Sequence, residues 1–111
     1  MAGITREIRN VINSYLADLS QEIKVDKAVL FGSYAKGTYH EDSDIDLAIF
    51  TDSLKDLERV EGIKYLLKKA RKYRTVDLQP IPFTNQDYDA PLGIVEEIIR
   101  TGIEVYPDYQ N

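Results

Sequence analysis

The sequence predicts an α/β (α+β) protein in which helices pack on one mixed sheet. Three observations predict it. Apolar residues recur at helical spacing in three stretches. Short apolar runs, too brief for helices, lie between and after them. The two kinds follow one another in the order α-β-β-α-β-α-β, which suits helices layered on a sheet.

The first helix rests on Ile4, Ile8, Val11, Ile12, Tyr15, Leu16 and Leu19, which form one apolar stripe. Ala28 to Phe31 is a short apolar run ending at Gly32, the pattern of a buried strand. A polar loop follows up to Ser43, and a short helix is expected to start near Tyr34. Ile45 to Phe50 is the second strand. A second long helix is expected from about Leu54, capped by Thr51, Asp52 or Ser53. Leu54, Leu57, Val60, Ile63, Leu66, Leu67 and Ala70 carry its stripe, and Gly62 weakens it slightly. Thr75 to Pro80 is the third strand, which Pro80 and Pro82 either end or confine to an edge. Leu92, Val95, Ile98 and Ile99 predict a last helix capped by Gly102, followed by a short strand from Ile103 to Tyr106.

The 111 residues, 43% apolar and 30% charged, are read as a single globular domain spanning residues 1–111. The absence of cysteine removes disulfides and thiolate metal sites, and suits a reducing cytoplasm. No apolar stretch approaches the ~20 residues of a membrane span, and the first residues lack the apolar core of a signal peptide. A net charge of -5 disfavours strong non-specific nucleic-acid binding. The basic group Lys68, Lys69, Arg71, Lys72 and Arg74 is expected to be a solvated helix face and end.

The chemistry concentrates in Gly32-Ser33-Tyr34-Ala35-Lys36-Gly37 and Ser43-Asp44-Ile45-Asp46-Leu47. Side chains alternate across a strand, so Asp44 and Asp46 share one face, their Cα atoms roughly 6.5 Å apart. Carboxylates that close repel unless a positive charge lies between them, and magnesium, an oxygen-seeking cation, is the simplest candidate. Asp77, between Val76 and Leu78, is either a third carboxylate facing the same site or an ordinary surface aspartate. Gly32 lets the backbone approach a phosphate without a Cβ in the way. The Ser33 hydroxyl and the N–H groups after it can hold phosphate oxygens. Lys36 either reaches the same phosphates or points into solvent. His40, the one histidine, is read as a solvated loop residue, with phosphate contact the other reading. The eight tyrosines suit core packing plus a contact surface, with Tyr106 and Tyr109 expected to be partly exposed.

Two rival motifs fail on their letters. A P-loop needs Lys and Ser/Thr after its second glycine, but Gly37 is followed by Thr38 and preceded by the lysine. A calcium loop starting at Asp42 would need Gly at Leu47 and Glu at Ser53.

Gly32-Ser33, Gly37, Ser43-Asp44-Ile45-Asp46 and the later Asp77 together resemble the polymerase-beta-type nucleotidyltransferase superfamily. The whole chain is similar to its minimal prokaryotic members, including the ending Gly102-Ile103-Glu104-Val105-Tyr106. The resemblance implies a palm-like fold, two Mg2+ ions and transfer of a nucleotide from a triphosphate such as ATP to a hydroxyl. By position, Asp44 and Asp46 would bind both metals. Asp77 would bind one and orient or deprotonate the acceptor. Gly32, Ser33, Lys36, Gly37 and Ser43 would line the nucleotide. It also implies a partner, a HEPN-type toxin protein that minimal members neutralise as antitoxins, in some cases by nucleotidylating it. The leading expectation is therefore a protein adenylyltransferase. The alternative is a non-catalytic binding antitoxin with a silent or regulatory nucleotide site.

Overall fold

The computed structural model describes residues 5–39 and 43–107. Helix α1 (Arg6–Ser20) leads into strand β1 (Lys27–Phe31), the one-turn helix α2 (Ser33–Lys36) and strand β2 (Ile45–Phe50). Helix α3 (Arg59–Ala70), strand β3 (Leu78–Phe83), helices α4 (Asn85–Asp89) and α5 (Ile94–Thr101), and strand β4 (Ile103–Tyr106) complete it. The sheet runs β3-β2-β1-β4. β1 is antiparallel to both β2 and β4, whereas β2 and β3 are parallel, so the sheet is mixed as expected.

Strand alternation sends side chains to two cores. Leu30 of β1 and Ile45, Leu47 and Ile49 of β2 meet Ile12, Tyr15, Leu16 and Leu19 of α1 and Leu66 of α3. The buried Tyr15 hydroxyl donates to the Leu66 carbonyl at 2.9 Å, which satisfies its polar end and ties α1 to α3. On the other face Val29, Ala48, Phe50 and Phe83 pack under Val95 and Ile98 of α5. Asp44 and Asp46 have the parity of this second face.

Three elements, α3, β3 and α5, have boundaries that differ from the sequence reading, and one helix was not expected. Helix α3 begins at Arg59, not near Leu54, and its N-cap is Glu58. Thr51 is buried in a turn of its own, donating to the Lys24 carbonyl and accepting the Ser53 N–H. Leu54 is thus buried from a turn, while Leu57 and Val60 are exposed. Strand β3 runs from Leu78 to Phe83, straight through Pro80 and Pro82. The Ile45 N–H donates to Asp77 O and the Thr51 N–H to Phe83 O, each at 2.8 Å. In a parallel ladder that parity turns residues 77, 79, 81 and 83 toward β2. Both prolines point away from β2, where no ladder donor is lost. Helix α5 starts at Ile94, leaving Leu92 exposed outside it. Helix α4 was not expected at all. It is held by a capping box in which Thr84 and Asp87 bond each other's backbone N–H.

Gly62 has a packing role, because a Cβ there would come within 3.3 Å of the Pro82 ring. The basic group is largely a solvated helix end, as read. Its Lys69 pairs with Glu22, and its Lys72 pairs with Asp18 at 2.7 Å. No helix among the described residues is long and apolar enough to cross a membrane. Ile4, His40, Asp42 and Tyr109 lie outside the described residues. Tyr106 is half-buried and accepts a hydrogen bond from Ser20 Oγ at 3.1 Å.

Candidate active site

The site forms where three strand ends meet. β1 ends just before Gly32, β2 begins just after Asp44, and β3 begins just after Asp77. Asp46 lies opposite Phe31 on one side and Gln79 on the other. Extending the β2–β3 register by one residue sets Asp44 beside Asp77.

Gly32 has φ 76, a left-handed value that favours glycine, and a Cβ there would run into the Asp46 carboxylate. One residue therefore both turns the chain into α2 and leaves room for the acid. Gly32 is also the N-cap of α2 and supplies no side-chain cap. The first N–H groups of the turn, from Ser33 onward, have no intrahelical acceptor and point outward. Gly37 closes α2 in the left-handed conformation, its N–H donating to Ser33 O. Lys36 stands half-exposed, 3.8 Å from Glu97 of α5.

The carboxylates sense one another. A hydrogen bond with Asp77 raises the Asp44 pKa, helped by the charge of Asp77 and by burial. Burial raises Asp46, and the charges of Asp44 and Asp77 push it the same way. Asp44 and Asp46 are thus both harder to ionise than free carboxylates, a cost that a nearby cation would relieve. Their oxygen-only donor chemistry fits a hard divalent cation. Among the described residues no three acidic, imidazole or thiol side chains are already drawn into a metal-holding arrangement. Asp44 is instead engaged with Asp77, while Asp46 packs on Gly32.

A cleft of about 720 Å³ opens beside Asp77, lined by Tyr34, Tyr39, Ser43, Arg74 and Thr75 among others. The Tyr34 and Tyr39 rings stack at 4.3 Å with 12° between their planes. Of the three acids, only Asp77 lines this cleft. Two neighbours of the site went unnoticed in the sequence. Glu97 faces Lys36 from a distant helix, and no local pattern announces that. Gln79 donates from Nε2 to Asp77 Oδ1 at 2.9 Å. Its signal was the i, i+2 spacing from Asp77, the same spacing that joins Asp44 to Asp46.

Residues 10–111 match the family model described as polymerase beta, nucleotidyltransferase. The chain belongs to the polymerase beta nucleotidyltransferase family. It is a nucleotidyltransferase by that membership. A family relative from Methanocaldococcus jannaschii, provisionally named a protein adenylyltransferase, is 31% identical over 102 residues. That match covers 89% of this chain and 99% of the relative. Solved structures repeat the nucleotidyltransferase fold. A Sulfolobus solfataricus protein, provisionally a nucleotidyltransferase, superposes with TM-score 0.66 at 13% identity, covering 94% of this chain and 86% of its own. A toxin–antitoxin structure with AMP-PNP gives TM-score 0.61 at 23% identity, covering 88% of this chain and 72% of the other. A mutant of the toxin–antitoxin MntA-HpeT gives 0.60 at 21%, with the same coverage.

Proposed function

We propose that this single-domain, cytoplasmic chain transfers AMP from ATP to a hydroxyl on a partner protein, with magnesium, as the antitoxin of a HEPN-type toxin. The observation that carries the proposal is the convergence of Asp44, Asp46 and Asp77 beside the Gly32-Ser33 turn. The relative named as a protein adenylyltransferase, and a similar fold solved with AMP-PNP, support it.

In this reading Asp44 and Asp46 would hold the magnesium ions, and Asp77 would help hold one of them. The ions, when bound, would neutralise phosphate charge and favour the ionised acceptor oxygen. Ser33 Oγ and the open N–H groups of the turn grip the outer phosphates, with Lys36, Gly37 and Ser43 around them. Asp77 accepts the proton of the acceptor hydroxyl. The acceptor oxygen bonds to the α-phosphorus as the bond to pyrophosphate breaks, and pyrophosphate leaves. The net charge of -5 suits a basic, RNA-binding partner, because complementary charge speeds encounter.

The test is to incubate the purified chain and the toxin encoded beside it with magnesium and labelled ATP, then weigh both proteins intact. A gain of whole AMP units on the toxin, lost in Asp44→Asn, is expected. If no gain occurs and both forms protect cells equally, the chain is a binding antitoxin. Modification of free small molecules or RNA instead would overturn both readings.

A further inference from the structure

Asp77 stands just before β3, exposed to solvent, with the turn of residues 74–76 on its other side. Packing does not fix the rotation of an exposed carboxylate, so its orientation rests on its polar partners, Asp44 and Gln79. Gln79, two residues on, belongs to the strand and is pinned by its register opposite Asp46. Its half-buried side chain rises on the same face as the acids, and Nε2 donates to Asp77 Oδ1 at 2.9 Å. The opposite amide orientation would set Oε1 against a carboxylate oxygen, so the donor must face Asp77.

We propose that Gln79 is a positioning residue that holds one oxygen of Asp77 so that the other is presented to the acceptor hydroxyl. This rests on the nucleotidyl-transfer reading above. A neutral amide suits the task. It restricts rotation through a single N–H donor and adds no charge to the site. Glutamate at the same place would add a fourth acid to a site already crowded with negative charge. Gln79 reaches the chemistry only through Asp77, so removing it should disturb alignment and leave the grip on the triphosphate intact.

Two measurements test this. In the first, transfer kinetics are compared for wild type, Gln79→Met, Asp77→Asn and the double variant, after melting curves confirm folding. Gln79→Met is expected to lower kcat by about 10- to 100-fold, because a 1 Å misplacement can cost about 100-fold. KM for ATP should stay nearly constant. In the Asp77→Asn background the same change should add almost nothing, since the two act as a unit. Equal losses in both backgrounds, or a rise in KM alone, would overturn the proposal. The second measurement needs no activity. The side-chain amide resonances of Gln79 are followed by NMR in wild type and Asp77→Ala. A clear shift on losing Asp77 is expected. Unchanged resonances would end the proposal even if transfer proceeds, whereas a shift without any transfer would place the failure in the functional reading instead.

Discussion

Asp44 and Asp77 stand side by side across the parallel β2–β3 pair and share a hydrogen bond that raises the Asp44 pKa. Two acids thirty-three positions apart, each just ahead of its strand, meet where the parallel register begins, at the Ile45 N–H to Asp77 O bond. The negative charge that helps raise the Asp44 pKa is one a bound cation would offset. Binding of ATP is therefore expected to depend on magnesium, and Asp46→Asn should weaken the magnesium-dependent part. Calorimetric titration with and without the metal checks this. Equal affinity in all four combinations would remove the cation from the account.

Asp77→Asn keeps the side-chain shape and removes the proton acceptor. Transfer should fall by about 10²–10⁴-fold, the usual cost of losing a general base. ATP affinity should change far less, because Asp44, Asp46 and the turn remain. Single-turnover rates beside equilibrium binding separate the two effects. A parallel loss of both would make Asp77 chiefly a ligand holder.

Gly32→Ala is predicted to be worse than its size suggests. The new Cβ would need a left-handed φ and would strike the Asp46 carboxylate. Strain of this kind costs on the order of 1–3 kcal/mol. Denaturant unfolding should show that loss, and ATP binding should fall with it as Asp46 is displaced. By contrast Ser33→Ala should leave stability intact and weaken triphosphate binding by about 0.5–3 kcal/mol. AMP binding should be barely altered.

The tyrosines joining α1 to α3 and its C-terminal turn give a pH prediction. Burial, then a hydrogen bond to Glu22, pushes Tyr65 up to about 12. Burial and the bond to Asp18 do the same for Tyr73, also to about 12. A raised folded-state value means the neutral phenol is favoured by folding. The stability it contributes is full below pH 10.0 and lost as pH rises toward about 12. Unfolding midpoints across that window should fall in wild type and fall less in Tyr73→Phe. The carboxylate partners run the other way. Hydrogen bonds from Lys72 and Tyr73 hold Asp18 low, and those from Lys69 and Tyr65 hold Glu22 low. Their contribution is present above the ordinary carboxylate range and fades in acid.

The fold was legible where period and burial agree. The α1 stripe and the Ile45–Phe50 run each specify one structure, and both stand as read. The acids were legible because alternation along a strand is strict, which joins Asp44 to Asp46. What escaped depends on partners distant in sequence. The start of α3 was misplaced because Leu54 is apolar and buried, yet it lies in a turn whose Thr51 hydroxyl bonds to Lys24 O from a distant segment. Strand β3 was placed three residues too early, at Thr75–Pro80 and not Leu78–Phe83, though the edge position the prolines allowed is the one it takes. Gln79 was missed as a site residue because its i, i+2 spacing from Asp77 says nothing of a polar contact until the hydrogen bond gives it a direction.

Those prolines have a second consequence, at the rim of the sheet. β3 is an edge strand, and edges invite another chain to continue the ladder. The outward positions of β3 are Leu78, Pro80 and Pro82, so only Leu78 retains a donor there. The Pro82 carbonyl is also taken, accepting from Arg59 Nη1 at 3.0 Å. An incoming strand would find one N–H where three are needed. β-Augmentation and runaway sheet stacking are thus blocked on the side that carries Asp77, and any sheet-to-sheet association is left to β4, four residues long, at the far edge.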